Sequence, residues 1–315
     1  MRQWLVWSAI AMLACAEEEV GGTAIPLPPP VRDQDTGGDI TPPGATNPTD
    51  DVCERWEADR IDLSEGTWTG SIATCDAGTL DEEGRANTLR MVNLYRWMAG
   101  QPPVTEDAAR SALAQPCALM MHANNALSHA PPTTWDCYSD DGAAGAGASN
   151  IATTPAVQAI DLYMVDAGNA DTLGHRRWIL SNGLSAVGIG GTSEYSCLYV
   201  FGGGGTSTQD WVAMPSAGAY PMEAMNLADW ATVDAEGWHI QSDVIDLNQA
   251  IVTVTRGEEE LLVTTNVLPA NFGSSSAISF QPNGWTSEPG IYHVSVGNIG
   301  ASIEYDVELV DCAAL

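Results

Sequence analysis

Seven cysteines spread over a chain of 315 residues constrain its fold more than any other feature of the sequence. One of them, Cys15, stands apart at the end of an apolar run near the N-terminus. An even set of six remains, and in an exported chain such a set predicts disulfide bonds. The six are Cys53, Cys75, Cys117, Cys137, Cys197 and Cys312. None of them lies in a CxxC pair or a Cys/His cluster, so the sequence gives no sign of a structural zinc site.

The spacing of the six cysteines favours local pairing. The segment between Cys117 and Cys137 is short, which predicts a bond between these two. Cys53 and Cys75 are also close in the sequence and are expected to pair. The remaining bond, between Cys197 and Cys312, would then join two folded domains.

The N-terminus has the features of an export signal over residues 1–14. A short basic start precedes an apolar run from Trp4 to Ala14, which is shorter than the roughly 20 residues a lasting membrane span needs. Its end resembles a lipoprotein signal, so we expect Cys15 to be lipidated and to hold the protein on a membrane. The alternative is ordinary cleavage near Ala14 or Ala16 with no lipid. The expected location is the outer membrane or cell surface, or otherwise the secreted fraction.

The charge of the chain excludes one class of partner. Lys and Arg together number 11 against 41 Asp and Glu, which gives a formal net charge of −30. Such a chain repels nucleic-acid phosphates, so we expect no nucleic-acid partner.

Composition and periodicity divide the rest of the chain. Residues 15–50 form a Pro-rich acidic linker, and residues 51–81 are expected to be an extended lead-in that a disulfide fixes. Helical periodicity dominates residues 82–205, which end in the run Gly202–Gly205. Residues 206–315 change to a period of two, which predicts a β-sandwich. The fold class is therefore α+β.

Individual elements follow from the same patterns. Helices are predicted over 82–100, from a cap at Thr105 with a kink or restart at Pro116, from Thr154-Pro155, and over 173–180. Strands are predicted over 186–189 and 195–201, and then at alternating runs around residues 250–255, 261–265, 292–296 and 303–309.

Four short motifs occur in a suggestive order. They are Ser128-His129, Ala146–Ala152, Gly174–Leu180 and Gly188-Ile189-Gly190. Together they resemble the bacterial branch of the CAP superfamily of SCP-like extracellular domains. The resemblance implies an α-β-α sandwich over residues 82–205, with a cleft where two histidines and two acidic residues meet. The β-sandwich after it resembles immunoglobulin-like modules of surface proteins.

The resemblance assigns His129, Ser149, Asn150 and His175 to the cleft. The two histidines fill the family's histidine positions, but Ser149 stands where the family has a glutamate. Asp166 and Asp171 are the candidates for the second acidic position. Two imidazoles and carboxylates suit zinc, so His129 and His175 are candidate metal ligands, with His122 or Asp136 as a possible third. We expect the two imidazoles to share a water or metal ion, and zinc to bind weakly because a hydroxyl carries no charge.

Three functions remain open at this stage. The first is non-enzymatic binding of a lipid, small ligand or protein partner at the cell surface. The second is a metal-dependent hydrolase or peptidase acting between His129 and His175. The third is a spacer with an idle cleft. A nucleophilic role for Ser149 is disfavoured because its segment lacks the final glycine of a nucleophile elbow, and no catalytic residue is assigned.

Overall fold

The computed structural model describes residues 49–227 and 230–314. The predicted export signal, Cys15 and nearly all of the predicted linker lie outside the described residues. In the described part the helices are α1 (Thr49–Arg60), α2 (Glu82–Met98), α3 (Ala108–Asn124), α4 (Asp140–Ala146), α5 (Ala156–Val165), α6 (Gly174–Ile179) and α7 (Val233–Glu236). The strands are β1 (Thr105–Glu106), β2 (Ser149–Ala152), β3 (Ala186–Gly191), β4 (Ser196–Tyr199), β5 (Val212–Met214), β6 (Gly218–Pro221), β7 (Trp238–Ser242), β8 (Ile251–Arg256), β9 (Glu259–Leu261), β10 (Val263–Leu268), β11 (Ser276–Pro282), β12 (Gly290–Gly297) and β13 (Ile303–Val310).

The first half of the described chain has three layers. A four-stranded sheet of order β1-β3-β4-β2 forms the middle layer. Ile151 and Cys197 on one face pack with residues of α3, and Ile189 and Leu198 on the other face pack with α2 and α5. This arrangement confirms the expected α+β class and its layering of helix, sheet and helix.

Two glycines of the Gly188-Ile189-Gly190 motif explain how closely α3 lies on the sheet. A Cβ at Gly188 would come within 2.3 Å of the Arg110 carbonyl carbon, and one at Gly190 within 2.2 Å of the Ala114 carbonyl carbon. Any side chain at either position would therefore push the helix backbone off β3. The motif is a packing requirement of α3 against β3.

Most predicted elements are present, but three predictions about the helices need correction. The second helix begins at Ala108, where the Asp107 side chain accepts a hydrogen bond from Arg110 N at 2.9 Å. Thr105 is not its cap, because Thr105 pairs with Ala186 in the sheet. The helix also continues through Pro116 and does not restart there. Finally, the lead-in is not extended at its start, since α1 occupies it up to Arg60.

The second half consists of two packed sheets. One is antiparallel with order β10-β11-β7-β5, and the other has order β6-β13-β12-β8-β9 with a parallel pair between β13 and β6. Ring contacts join the sheets, with Trp238 5.7 Å from Tyr292 and Trp211 5.0 Å from Tyr305 between centroids. The alternation predicted for β12 and β13 is confirmed, because every second side chain is buried.

The two halves share one apolar core. A single cluster of buried side chains extends from α2 and α5 into both sheets of the second half. Polar contacts follow the same boundary: Ser216 Oγ donates to Met98 O at 2.6 Å, and Gln101 Nε2 donates to Gln209 Oε1 at 2.9 Å. The run Gly202–Gly205 thus connects two parts that are packed together.

All six cysteines outside the N-terminal segment form disulfides, as predicted, but the three predicted pairs are wrong. The observed bonds are Cys53–Cys312, Cys75–Cys137 and Cys117–Cys197. Tertiary packing overrides sequence proximity in each case. For example, α3 lies against β4, which brings Cys117 to Cys197 within the buried cluster of that layer. The bond between the halves runs from α1 to the C-terminus.

Candidate functional site

His175 is fixed at the start of α6. Leu173, in the left-handed conformation with φ of 47°, precedes this helix, and His175 is its second residue. The His175 Nδ1 atom lies 2.7 Å from Asp166 Oδ1, and the ring centroid lies 5.2 Å from that of Tyr163. The His175 side chain remains 23% exposed. The imidazole is therefore held at Nδ1 and partly exposed.

Asp166 is the acidic residue that reaches this histidine. It ends α5 in the left-handed conformation, with φ of 59°, and its side chain is fully buried. Asp166 Oδ2 accepts the backbone N–H of Arg176 at 3.2 Å, and Asp166 Oδ1 also accepts from Asn169 Nδ2 at 3.1 Å. Asp171, the other candidate, is exposed.

His129 is oriented in the same way by a different acceptor. It lies in the exposed segment after α3, and its Nδ1 is 2.9 Å from Ala146 O at the end of α4. A carbonyl oxygen only accepts, so Nδ1 of His129 carries the proton. The carboxylate of Asp166 imposes the same assignment on His175. In the neutral form both rings consequently carry their lone pair on Nε2, the atom that binds metals or accepts protons.

The segment between the histidines forms β2 and links them. Asn150 Nδ2 donates to the backbone oxygen of His175 at 3.0 Å, so this part of the predicted site is brought together. Ser149 differs, because only 3% of it is exposed and its side chain is on the strand face that carries Ile151, toward α3. Its Oγ has no hydrogen-bond partner among the described residues.

His122 and Asp136, the candidates for a third metal ligand, make contacts with residues outside the predicted site. His122 stacks on Tyr195 with 5.3 Å between ring centroids and lies 5.9 Å from Trp68. Asp136 is exposed, and its backbone N–H donates to Asn124 Oδ1.

The ligand set around the two histidines does not fit a zinc centre with three protein ligands. Ser149 is buried and neutral, and Asp166 is already engaged on the Nδ1 side of His175. Within residues 49–227 and 230–314, no group of three or more His, Cys, Asp and Glu side chains could hold a metal ion.

An aromatic pair beside this segment was not predicted from the sequence. Trp178 lies one turn after His175, and its ring centroid is 4.4 Å from that of Phe201. The backbone N–H groups of Val200 and Phe201 both donate to Ala148 O, at 3.0 and 3.3 Å, which holds Phe201 next to β2. Phe201 is 40% exposed. The only signal in the sequence was the Trp that follows the arginines of the Gly174–Leu180 motif.

The two arginines of that motif have a structural role. Both are completely buried, and both donate to main-chain carbonyls, two of which lie in the second half of the chain at Gly237 and Pro269. Arg177 also donates to Ser274 Oγ at 3.0 Å. Burial lowers the pKa of Arg177 to about 10 and lowers the pKa of Arg176 as well. These side chains attach the sheets to α6 and are not placed to clamp a substrate.

Comparison with known proteins identifies the first half. Residues 89–202 match the family described as CAP, the cysteine-rich secretory protein family, so this region is a CAP domain. No curated protein and no solved structure matches the chain. The matched residues contain His129, the β2 segment and His175, so the candidate site lies wholly within the CAP domain. Among the described helices, none has the length and apolar character that crossing a membrane requires.

Proposed function

We propose that this chain is an exported, lipid-anchored surface protein whose CAP domain binds a ligand beside His129 and His175 without transforming it. One observation carries the proposal. Both imidazoles are oriented through Nδ1 and partly exposed, while the position expected to hold a glutamate is the buried, uncharged Ser149. Two oriented imidazoles with no glutamate beside them are better suited to hydrogen-bonding a polar group of a ligand than to binding a divalent cation.

The chemistry of the surroundings favours an amphiphilic ligand. Phe201 and Trp178 supply a partly exposed apolar surface beside β2, and the imidazoles supply polar groups on the same domain. A lipid matches this combination, because its chains bury against aromatic rings while its headgroup reaches the polar atoms. The two sheets of the second half, which we propose to be immunoglobulin-like, would add a surface for a protein partner.

Export is supported by the disulfides. Three bonds pair all cysteines from Cys53 onward, and such bonds form and persist in oxidising compartments. Cys15 is then the one cysteine left over, at the position of the proposed lipid anchor. Mass spectrometry of the mature N-terminus tests the anchor, and an unmodified chain that starts elsewhere would contradict it.

Binding is tested with a fluorescent single-chain phosphatidylcholine below its aggregation threshold. We expect saturable binding by the parent protein and at least about tenfold weaker binding after Phe201→Ala or His175→Ala. Ile291→Ala is the matched control, because Ile291 is 58% exposed on the second sheet and should not alter affinity. No saturable binding by the parent, or equal loss in the control, would overturn the lipid proposal and favour a spacer.

A metal-dependent hydrolase is the alternative function, and the buried carboxylate on His175 is the observation that favours it. Asp166 holds His175 at Nδ1, and many histidines that act as general bases are oriented by a carboxylate in this way. Calorimetric titration with zinc separates the two functions. We expect weak zinc binding by the parent and none by His175→Ala. Zinc-stimulated peptide hydrolysis by the parent would favour the enzyme.

A further inference from the structure

The contact between α6 and the second half of the chain contains a buried histidine. Along β7 the side chains alternate, and Trp238 and Ile240 point into the core between the two sheets. His239 and Gln241 therefore point to the other face, toward α6, where Gln241 Nε2 donates to Arg177 O at 3.3 Å. The outer face of this sheet is thus an interface with the CAP domain.

His239 is poorly adapted to carrying a charge at this interface. Its exposure is 0%, and neither ring nitrogen makes a hydrogen bond of normal geometry to a described residue. Its cross-strand neighbours are Ser279 on β11 and Met214 on β5, neither of which titrates near neutral pH. Ser279 Oγ is likewise buried without a partner in the described chain.

The charged groups facing His239 are mainly positive. Burial is the largest cause that lowers the pKa of His239 well below its usual value, and the guanidinium groups of Arg176 and Arg177 follow. The side chain of Gln241 opposes these effects, but it is the smallest of the four contributions. A protonated His239 would therefore place a third cation beside two buried ones.

The carboxylates in this region are already engaged. Asp166 accepts from His175 and from the Arg176 backbone, and Asp243, which directly follows β7, accepts from Ser275 N. Glu236 on α7 is half-buried, and burial is the largest cause that raises its pKa. None of the three makes a hydrogen bond with His239 in the described structure. The new charge would have no nearby counterion to offset its desolvation.

We propose that the contact between β7 and α6 is an acid-sensitive switch, which protonation of His239 opens. The Cys53–Cys312 bond joins α1 to the C-terminus, so the two halves stay linked when this contact opens. Since α6 carries His175, opening would also release one wall of the candidate site. The proposal concerns the interface alone and does not depend on which ligand the CAP domain binds.

The sign of the pH dependence follows from the pKa of His239. In the open state the ring titrates near its ordinary value of about 6.5, whereas in the closed state it resists protonation. The closed interface is therefore fully favoured above about pH 6.5 and loses stability as the pH falls below it. Because a single proton is bound, the equilibrium constant between the closed and open interface changes by no more than about tenfold per pH unit.

Hydrogen exchange measured from pH 7.5 to pH 5, corrected for the intrinsic rate, tests the switch on the full disulfide-bonded chain. In the parent we expect exchange in β7, β11 and α6 to accelerate by up to about tenfold per pH unit below about 6.5, while α2 stays protected. His239→Gln should remove this acceleration. His293→Gln is the control, because His293 is an exposed histidine on β12 that pairs with Asp306, and it should behave as the parent.

Two further measurements keep the result decisive. Glu236→Gln separates the titration of that carboxylate from the titration of His239, and it should leave the acceleration intact. If His239→Gln does not fold, nuclear magnetic resonance of histidine-labelled parent protein replaces it, and the His239 signal should titrate together with the loss of protection. The switch is wrong if the parent keeps its protection down to pH 5, or if His239→Gln loses protection as the parent does.

Discussion

The buried carboxylate of Asp166 pairs with the partly exposed imidazole of His175 and joins the end of α5 to the start of α6, with 2.7 Å between Oδ1 and Nδ1. A second pair of the same kind, Asp306 with His293, has almost the same distance of 2.8 Å but lies on the surface. The two pairs differ mainly in burial, since the Asp166 side chain has no exposed area and that of Asp306 is 66% exposed. This difference allows a controlled test of what the buried pair does.

We predict that Asp166→Asn lowers the free energy of unfolding by about 2 kcal/mol, because an amide cannot accept from both His175 and the backbone of Arg176. The mutation should also change the tautomer of His175, which ¹⁵N chemical shifts of the imidazole report. Asp306→Asn is the control and should leave urea unfolding unchanged. Equal stability of the two variants would show that the buried pair does not orient α6.

Arg176→Lys should destabilise the protein by about 3 kcal/mol although the charge is kept. The guanidinium donates to three carbonyls, at 2.6, 2.7 and 2.9 Å, and a lysine ammonium cannot reach all three from the same helix position. The measurement is the urea midpoint at constant m-value. Arg256→Lys serves as the comparison, because Arg256 pairs with the exposed Glu288 and should show no measurable change.

The two disulfides that tie distant segments should differ in their effect on stability. Cys53–Cys312 spans 259 residues and Cys75–Cys137 spans 62. Loop-closure entropy predicts that replacing both cysteines of the longer bond by serine costs about 1 kcal/mol more than the same change in the shorter bond. Thermal unfolding of the two double variants measures the difference. Peptide mapping without reduction checks the pairing itself, and a Cys117–Cys137 peptide would contradict the structure.

The parts of the fold that depend on local periodicity could be predicted from the sequence. The alternation from Ile303 to Leu309 predicted β13 because one face of that strand is buried. The start of α3 was misplaced because Thr105 and Asp107 are both good caps, and only the pairing of Thr105 with Ala186 decides between them. The helix α1 was missed because its sequence has little amphipathic pattern, and a disulfide and the Arg60–Asp161 ion pair hold it in place.

The candidate site was predictable only in part. The motifs identified His129, Asn150 and His175, and the structure brings the last two into contact. Asp166 rather than Asp171 reaches His175 because Asp166 itself adopts the left-handed conformation and turns the chain after α5. The spacing of residues in the sequence does not predict such a turn. The burial of Ser149 likewise depends on which face of β2 meets α3, a matter of tertiary packing.

Ser149 also gives the clearest prediction about stability within the CAP domain. Its Oγ is buried and has no hydrogen-bond partner in the described structure, so the folded state loses the hydration of this hydroxyl with no bond in return. Ser149→Ala should therefore be neutral or should stabilise the protein by up to about 1 kcal/mol. Ser216→Ala is the matched control, since Ser216 is similarly buried but donates to Met98 O at 2.6 Å, and its loss should cost about 1 kcal/mol. Chemical unfolding of both variants decides the matter: a destabilised Ser149→Ala would mean that this hydroxyl makes a bond in solution.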